Sequence, residues 1–233
     1  MKRRTAASAF ALPPICGLAL SSALFIGPAQ AGCSSTASAG VDWSGCRKIA
    51  KYLQDKDLSG GNFERTNLSR TNMKNAKLMK ARLKRADISK TILRQADLSG
   101  ADLEKAVGMR AYMDGAKLKS ANLTKIELYR AQLKAADLSN ANLVGAQLGR
   151  SNLTAANLDG ADIKYANLAR TDLRLASVKG ADFTHAYFFR TRLEGLDLTV
   201  AKGISQIQLE LACGDAKTKL PSGLKPGKQW PCE

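Results

Sequence analysis

Histidine occurs once in this chain, at His185, and a single imidazole leaves little room for acid–base or metal chemistry. A Ser-His-Asp or Cys-His group would have to be built around it, and the nearby Asp182 and Thr184 are explained by the repeat described below. No H-E-x-x-H, glycine-rich phosphate loop or cofactor fingerprint is present. Aromatic residues make up 6%, too few for a core built on large rings. Acidic residues are outnumbered, 20 Asp and Glu against 36 Lys and Arg, for a net charge of +16. That balance points to anionic partners. Long apolar runs are also missing: residues 15–27 form the longest, and thirteen residues fall short of the ~20 that span a bilayer as a helix.

The apolar run belongs to an export signal. Lys2, Arg3 and Arg4 precede it, and Ala29-Gln30-Ala31 follows as a small-x-small cleavage site, so the mature chain starts at Gly32. An uncleaved anchor is the alternative. Cys33 raises a lipoprotein signal, but Gln30 stands where an aliphatic residue is wanted. Arg3-Arg4 opens like a twin-arginine signal, and the residues after the pair do not fit one. The reading is a periplasmic or secreted protein with no integral span after cleavage following Ala31. Cleavage removes three cations and Cys16, taking the charge from +16 to +13 and the cysteines from five to four. An even number in an exported chain predicts disulfides. Three pairings exist, and sequence proximity favours Cys33 with Cys46 and Cys213 with Cys232. The spacings do not suit zinc, and the sequence predicts neither metal nor cofactor.

What the chain does have is a period of five. Counting from Leu58 to Leu198 in steps of five gives 29 central positions i, and only Gly108 is not apolar. Position i−2 is small, as at Ala76, Ala101, Ala141 and Ala161. Position i−1 is often Asn or Asp, as at Asn67, Asp97, Asn142 and Asp182. Five matches neither a helix nor a strand, and a fixed short period means a solenoid. One large and one small inward residue per pentad suits a square coil with one pentad per side, and Asn or Asp at i−1 can bond the turn backbone. Four pentads per coil give about seven coils, a rod of roughly 34 Å at strand spacing.

Runs such as Ala96-Asp97-Leu98-Ser99-Gly100, Ala121-Asn122-Leu123-Thr124-Lys125 and Ala156-Asn157-Leu158-Asp159-Gly160 resemble the pentapeptide repeat family, A-[DN]-L-x-x. The resemblance implies an all-β fold, a right-handed quadrilateral β-helix. The motif is scaffold and carries no chemistry of its own. Four segments follow: 1–31 as signal, 32–56 as N-terminal cap, 57–200 as solenoid, and 201–233 as a short helix with a disulfide-closed tail. At the N-terminal end Trp43, with Val41 and Cys46, covers Leu58 and Phe63. At the C-terminal end residues 203–214 predict a helix with Ser205 as N-cap and Gly214 as stop. Ile204, Ile207 and Leu211 would face the last coil. Such a tail resembles those of exported bacterial members of the family. Gly108 deletes one core side chain. Ile126, in place of a small residue beside the stacked Leu128, is read as filling the void; a groove near Val107 and Met109 is the other reading.

Fourfold geometry stacks residues 20 apart. One i+2 column reads Arg70, Lys90, Arg110, Arg130, Arg150, Arg170 and Arg190, basic at every position. The face leading to it has Arg65, Arg85, Lys105 and Lys125, then Tyr165 and His185, on its other border, with Tyr129, Tyr187 and Phe189 between. The next face adds Lys74, Arg94, Lys134 and Arg174, whereas the opposite face balances Lys against Asp. Basic rows with interleaved rings suit an anionic polymer or envelope surface. Duplication of a 20-residue unit would also produce such a column. Asp alternates with Asn at i−1, which argues for turn bonding rather than calcium or general acids. The reading is therefore a non-enzymatic binding scaffold, monomeric by default because both ends are capped, with a protein-docking module as the alternative. Some family members bind DNA gyrase as acidic mimics of the duplex; a mature charge of +13 has the wrong sign for that.

Overall fold

The computed structural model describes residues 32–231. The signal segment with its cleavage site, and Cys232, lie outside the described residues.

Each pentad closes a turn. The N–H of residue i+3 donates to the carbonyl of i, as from Ala81 to Leu78 and from Ala101 to Leu98, both at 3.0 Å. Residue i+2 sits at positive φ, +52° to +61° where it is not glycine, as the third position of a type II turn requires. The i−1 side chain locks the turn: Asp97 Oδ1 accepts from Ser99 N at 3.0 Å, and Asp182 Oδ1 from Thr184 N at 2.9 Å.

Between turns each side is a single parallel bridge to the residue 20 positions on, from Asp42 with Asn62 through to Asp182 with Lys202. Leu58 N donates to Lys77 O at 2.7 Å, and Lys77 N returns to Lys56 O at 2.9 Å. Leu58, Leu68, Leu78, Leu98 and Leu103 are fully buried, with Ala76, Ala81 and Ala101 buried beside them. Where i−2 is Thr, its hydroxyl bonds the previous coil, as Thr66 Oγ1 to Trp43 O at 2.6 Å and Thr191 Oγ1 to Leu168 O at 2.7 Å. The buried hydroxyls therefore carry no desolvation penalty.

The bridges begin at Asp42, well inside residues 32–56. Trp43, Lys48 and Leu53 take the central positions of this first turn of the coil. Lys48 breaks the apolar rule because the coil end is open. Its Nζ lies 3.8 Å over the Trp43 ring centroid and donates to Cys33 O at 2.6 Å. Trp43 packs edge-on against Phe63 at 5.8 Å, and Cys33 is bonded to Cys46.

At Gly108 the residues stacked above and below lie nearest the missing side chain. A Cβ there would stand 2.8 Å from Leu128 Cδ2 and 3.2 Å from Ile88 Cγ1. The residues stacked above and below close the gap themselves. Ile126 is buried but is not among the atoms nearest that space.

The C-terminal end differs from expectation in register. A 3-10 turn, Leu198–Val200, closes the last repeat, and α1 spans Gln206–Leu211. Ser205 is its N-cap, in a capping box with Gln208. Ile204 packs against the core as expected. Ile207, however, is 72% exposed and Leu211 36%, whereas Gln208, Leu209 and Ala212 are buried. The last coil presents carbonyls as well as apolar side chains, and Gln208 Nε2 donates to two of them: Ala186 O at 3.0 Å, which has no backbone donor among the described residues, and Phe183 O at 2.8 Å, which also accepts from Ala186 N. The helix ends at Leu211, before Gly214, which is instead the seat of the Trp230 ring. Trp230 Nε1 donates to Ala212 O at 2.8 Å. Cys213 is in a disulfide, and Cys232, the partner expected for it, lies outside the described residues.

Candidate functional site

The basic column is built by the backbone. Arg70 N donates to Ser89 O, Lys90 N to Met109 O, Arg110 N to Tyr129 O and Arg130 N to Gly149 O, all at 3.0 Å. Arg150, Arg170 and Arg190 continue the series through Ala169, Phe189 and Leu211. Each cation is thus held one residue from the next in the stack, and six gaps at strand spacing extend the row over ~29 Å. Six of the seven side chains are exposed and Arg130 is half-buried.

Two properties set this column apart. The first is conformational. All seven residues stand at φ between +52° and +60°, where glycine is the residue without a steric penalty. The other three corners use it, at Gly60, Gly100, Gly115, Gly145, Gly160, Gly180 and Gly195. This corner runs from Ala50 to Arg190 without a glycine. The second is electrostatic. Elsewhere some cations are paired, Arg82 with Glu64 at 2.6 Å, Lys84 with Glu104 at 2.6 Å, Arg94 with Asp114 at 3.1 Å and Arg174 with Asp172 at 2.7 Å. Others, such as Arg65, Arg85 and Lys125, have no ion pair among the described residues; the column differs in being basic at all seven positions with no acid paired to any of them. Among the described residues, no member of the column forms an ion pair. On the far border Arg65, Arg85, Lys105 and Lys125 stack in the same way, but Lys105 is engaged by Glu104 at 3.0 Å, and Gly145 ends the basic run. Lys84 and Lys105 together hold the Glu104 carboxyl down at about 2.

The rings lie where the sequence placed them, with an arrangement it did not show. Tyr129 is flanked by the Arg130 and Arg150 guanidinium carbons at 5.4 and 5.9 Å, and Phe189 by that of Arg170 at 6.0 Å. Tyr187 and Phe189 are nearly parallel, 6.3 Å between centroids. Tyr165 and His185 stack at 5.1 Å on the border. The i−1 row of the same face carries two acids, Asp87 and Glu127, which the basic reading of the face passed over. Asp87 Oδ1 is used by Ser89 N at 2.9 Å. Surface hollows line the column, one bounded by Arg70, Lys90 and Met109 and another by Lys90, Met109, Arg110 and Tyr129.

Chemically, the face offers a straight row of unpaired cations beside exposed rings. Among the described residues, no group of His, Cys, Asp and Glu side chains is clustered to hold a metal ion. Fold and face together define a β-helical repeat scaffold. The repeat itself is the pentapeptide repeat: the family described as "Pentapeptide repeats" matches in eight copies over residues 57–95, 93–124, 131–164 and 166–201, more than half of the chain. The chain belongs to the pentapeptide repeat family, whose members fold as right-handed quadrilateral β-helices and are in general non-enzymatic scaffolds or binding proteins.

Among solved structures, QnrB1, a plasmid-mediated fluoroquinolone resistance protein, superposes with a TM-score of 0.57 at 16% identity, covering 78% of this chain and 86% of that one. HetL, involved in heterocyst differentiation regulation in the cyanobacterium Nostoc sp. strain PCC 7120, is 25% identical over 78% of this chain and 87% of its own, with a TM-score of 0.43. A pentapeptide repeat protein of the Arabidopsis thaliana thylakoid lumen is 30% identical over 45% of this chain and 69% of its own, with a TM-score of 0.38. A search of curated protein sequences gives no match.

Proposed function

We propose that this chain is an exported, non-enzymatic binding scaffold that contacts an anionic polymer or surface through the column Arg70 to Arg190. The observation that carries the reading is the unbroken run of seven cations, none in an ion pair among the described residues, at backbone positions that favour glycine. Each non-glycine residue in the left-handed region costs ~1–2 kcal/mol relative to the right-handed one. Adjacent like charges also repel, and seven positions keep both costs. The occupant that offsets them is a partner with its own row of negative charge, phosphate, sulfate or carboxylate. The positive sign of the whole chain supports the same partner.

The protein meets that partner as a monomeric rod with closed ends, outside the cytoplasm. Heparin chromatography of residues 32–233 tests the reading. The wild-type chain is expected to elute at markedly higher salt than a variant with Arg110, Arg130, Arg150 and Arg170 changed to Gln. A control with Lys77, Lys117, Lys119 and Lys179 changed to Gln, on the opposite face, removes the same charge. Equal elution of the two variants would reduce the reading to net charge alone.

A further inference from the structure

The middle of the column is more than a row of charges, because of where Tyr129 leans. Position 149, one coil on from Tyr129 in the same i+1 row, is glycine, and a Cβ there would stand 3.2 Å from Tyr129 Cδ2 and 3.4 Å from Cε2. The ring therefore rests on the Gly149 backbone, on the side of Arg150, whose guanidinium carbon lies 5.9 Å from its centroid. On the ring's other side a hollow of about 300 Å³ opens, lined by Ser89, Lys90, Met109, Arg110 and Tyr129. It continues past Met109 into a second hollow of about 470 Å³ that reaches Ile49, Ser69 and Arg70 and is also lined by Arg47 and by Asp87, whose Oδ1 accepts from Ser89 N. The i+1 row explains the depression: Ser69 and Ser89 are short, and Ile49 and Met109 on either side are long. Met109 is 47% exposed and Tyr129 39%, so apolar surface lies open directly beside three cations that have no ion-pair partner among the described residues.

A concave, largely apolar hollow of this size with a few convergent polar groups is a small-molecule site rather than a flat charged edge. A bare polyanion would leave the thioether and the ring in water. We propose that the hollow between Met109 and Tyr129 binds a single amphiphilic anion. Its alkyl chain lies over Met109 and against the Tyr129 ring, and its phosphate or carboxylate head bonds Lys90 and Arg110, with Arg70 beyond Met109 for a second negative charge. The inference deepens the proposed function and rests on it, since it takes the head-group contact from the same cations. Its occupant is one molecule and not a bilayer, because the apolar surface is recessed between side chains.

The test uses residues 32–233 and sodium alkyl phosphates of increasing chain length, each below its micelle concentration, by isothermal titration. Inorganic phosphate is the zero-length control. The site predicts affinity rising by up to about fourfold per methylene over the first several carbons. Two variants leave every cation in place. Gly149→Val pushes the ring back over the hollow, and Met109→Gln makes its floor polar. Both should cut the increment below about twofold while heparin retention stays at the wild-type level. Affinity independent of chain length, wild-type increments in both variants, or binding to phosphatidylglycerol vesicles with none to the free alkyl phosphates would overturn the inference. Heparin retention reads the column by itself: its loss in the wild-type chain sinks the proposed function, whereas a flat chain-length series with retention intact sinks only the hollow.

Discussion

Gln208 Nε2 donates to the Ala186 carbonyl at 3.0 Å and to the Phe183 carbonyl at 2.8 Å, so one amide side chain supplies the donor that the next coil would have given Ala186. Its Oε1 accepts from Ser205 N at 2.7 Å, which ties the closure to the start of α1. A solenoid must end somewhere, and its end carries both unpaired carbonyls and an uncovered apolar layer. Leu209, fully buried, covers the second while Gln208 answers the first.

Gln208→Leu keeps the volume and removes the donors. The Ala186 carbonyl is left unpaired, while Phe183 O keeps its turn bond from Ala186 N at 2.9 Å, at a cost of about 2 kcal/mol. Thermal denaturation should show a midpoint lower by roughly 4–8 °C. An unchanged midpoint would mean that water reaches this carbonyl.

Restoring the repeat at its one gap should harm the protein. Gly108→Leu forces a side chain into space held by Leu128 and Ile88, an overpacking cost of roughly 1–3 kcal/mol. Adding Leu128→Ala should recover part of that loss, so that the double variant is more stable than the sum of the two single changes predicts. Urea denaturation of the four proteins measures the coupling, and additive losses would show that the two sites do not compete for one space.

Acid should loosen the turns that Asp holds and spare those that Asn holds. The Thr184 hydroxyl and backbone N–H keep the Asp182 carboxyl below its ordinary 3.8. Its contribution is fully present above that value and is lost as the pH falls through the lowered one. Asp182→Asn keeps an oxygen acceptor without a titrating group. The variant should match wild type near neutrality and lose less of its melting temperature below about pH 4. Parallel loss in both proteins would place the acid sensitivity elsewhere, for example at Glu104.

Removing the Cys33–Cys46 bond by itself should fray the N-terminal end alone. The Cys33–Cys46 bond closes a loop with a sequence separation of 13, which stabilises by about 3 kcal/mol in the chain-entropy account. Cys33→Ala with Cys46→Ala should lower the melting temperature and speed hydrogen exchange at Trp43 and Lys48. Heparin retention should hold, since the column starts at Arg70.

The period of five made the coil, the 20-residue stacking and the Asx-bonded turns legible from residues alone, because every pentad repeats the same local problem. The ends were harder. Lys48 hides the first pentads by placing a charge at an apolar position, and only the Trp43 ring beneath its ammonium shows why that is tolerated. Helical periodicity favoured Ile207 and Leu211 as the buried face of α1, but the coil end needed a donor, and Gln208 took the place. The basic column could be read by counting in twenties. Its lack of ion pairs, and the lean of Tyr129 onto Gly149, depend on side-chain directions that a one-dimensional pattern does not contain.

The most direct measurement of the central claim is the salt dependence of binding to a heparin oligosaccharide, for residues 32–233 and for the variant with Arg110, Arg130, Arg150 and Arg170 changed to Gln. Each phosphate- or sulfate-type contact releases condensed counterions, so the slope of log K against log salt counts the contacts. The wild-type chain should give a steep slope and the variant one shallower by roughly three, with far-UV circular dichroism unchanged. The same slope and affinity in both proteins would contradict that claim and leave the column as decoration inherited with the repeat.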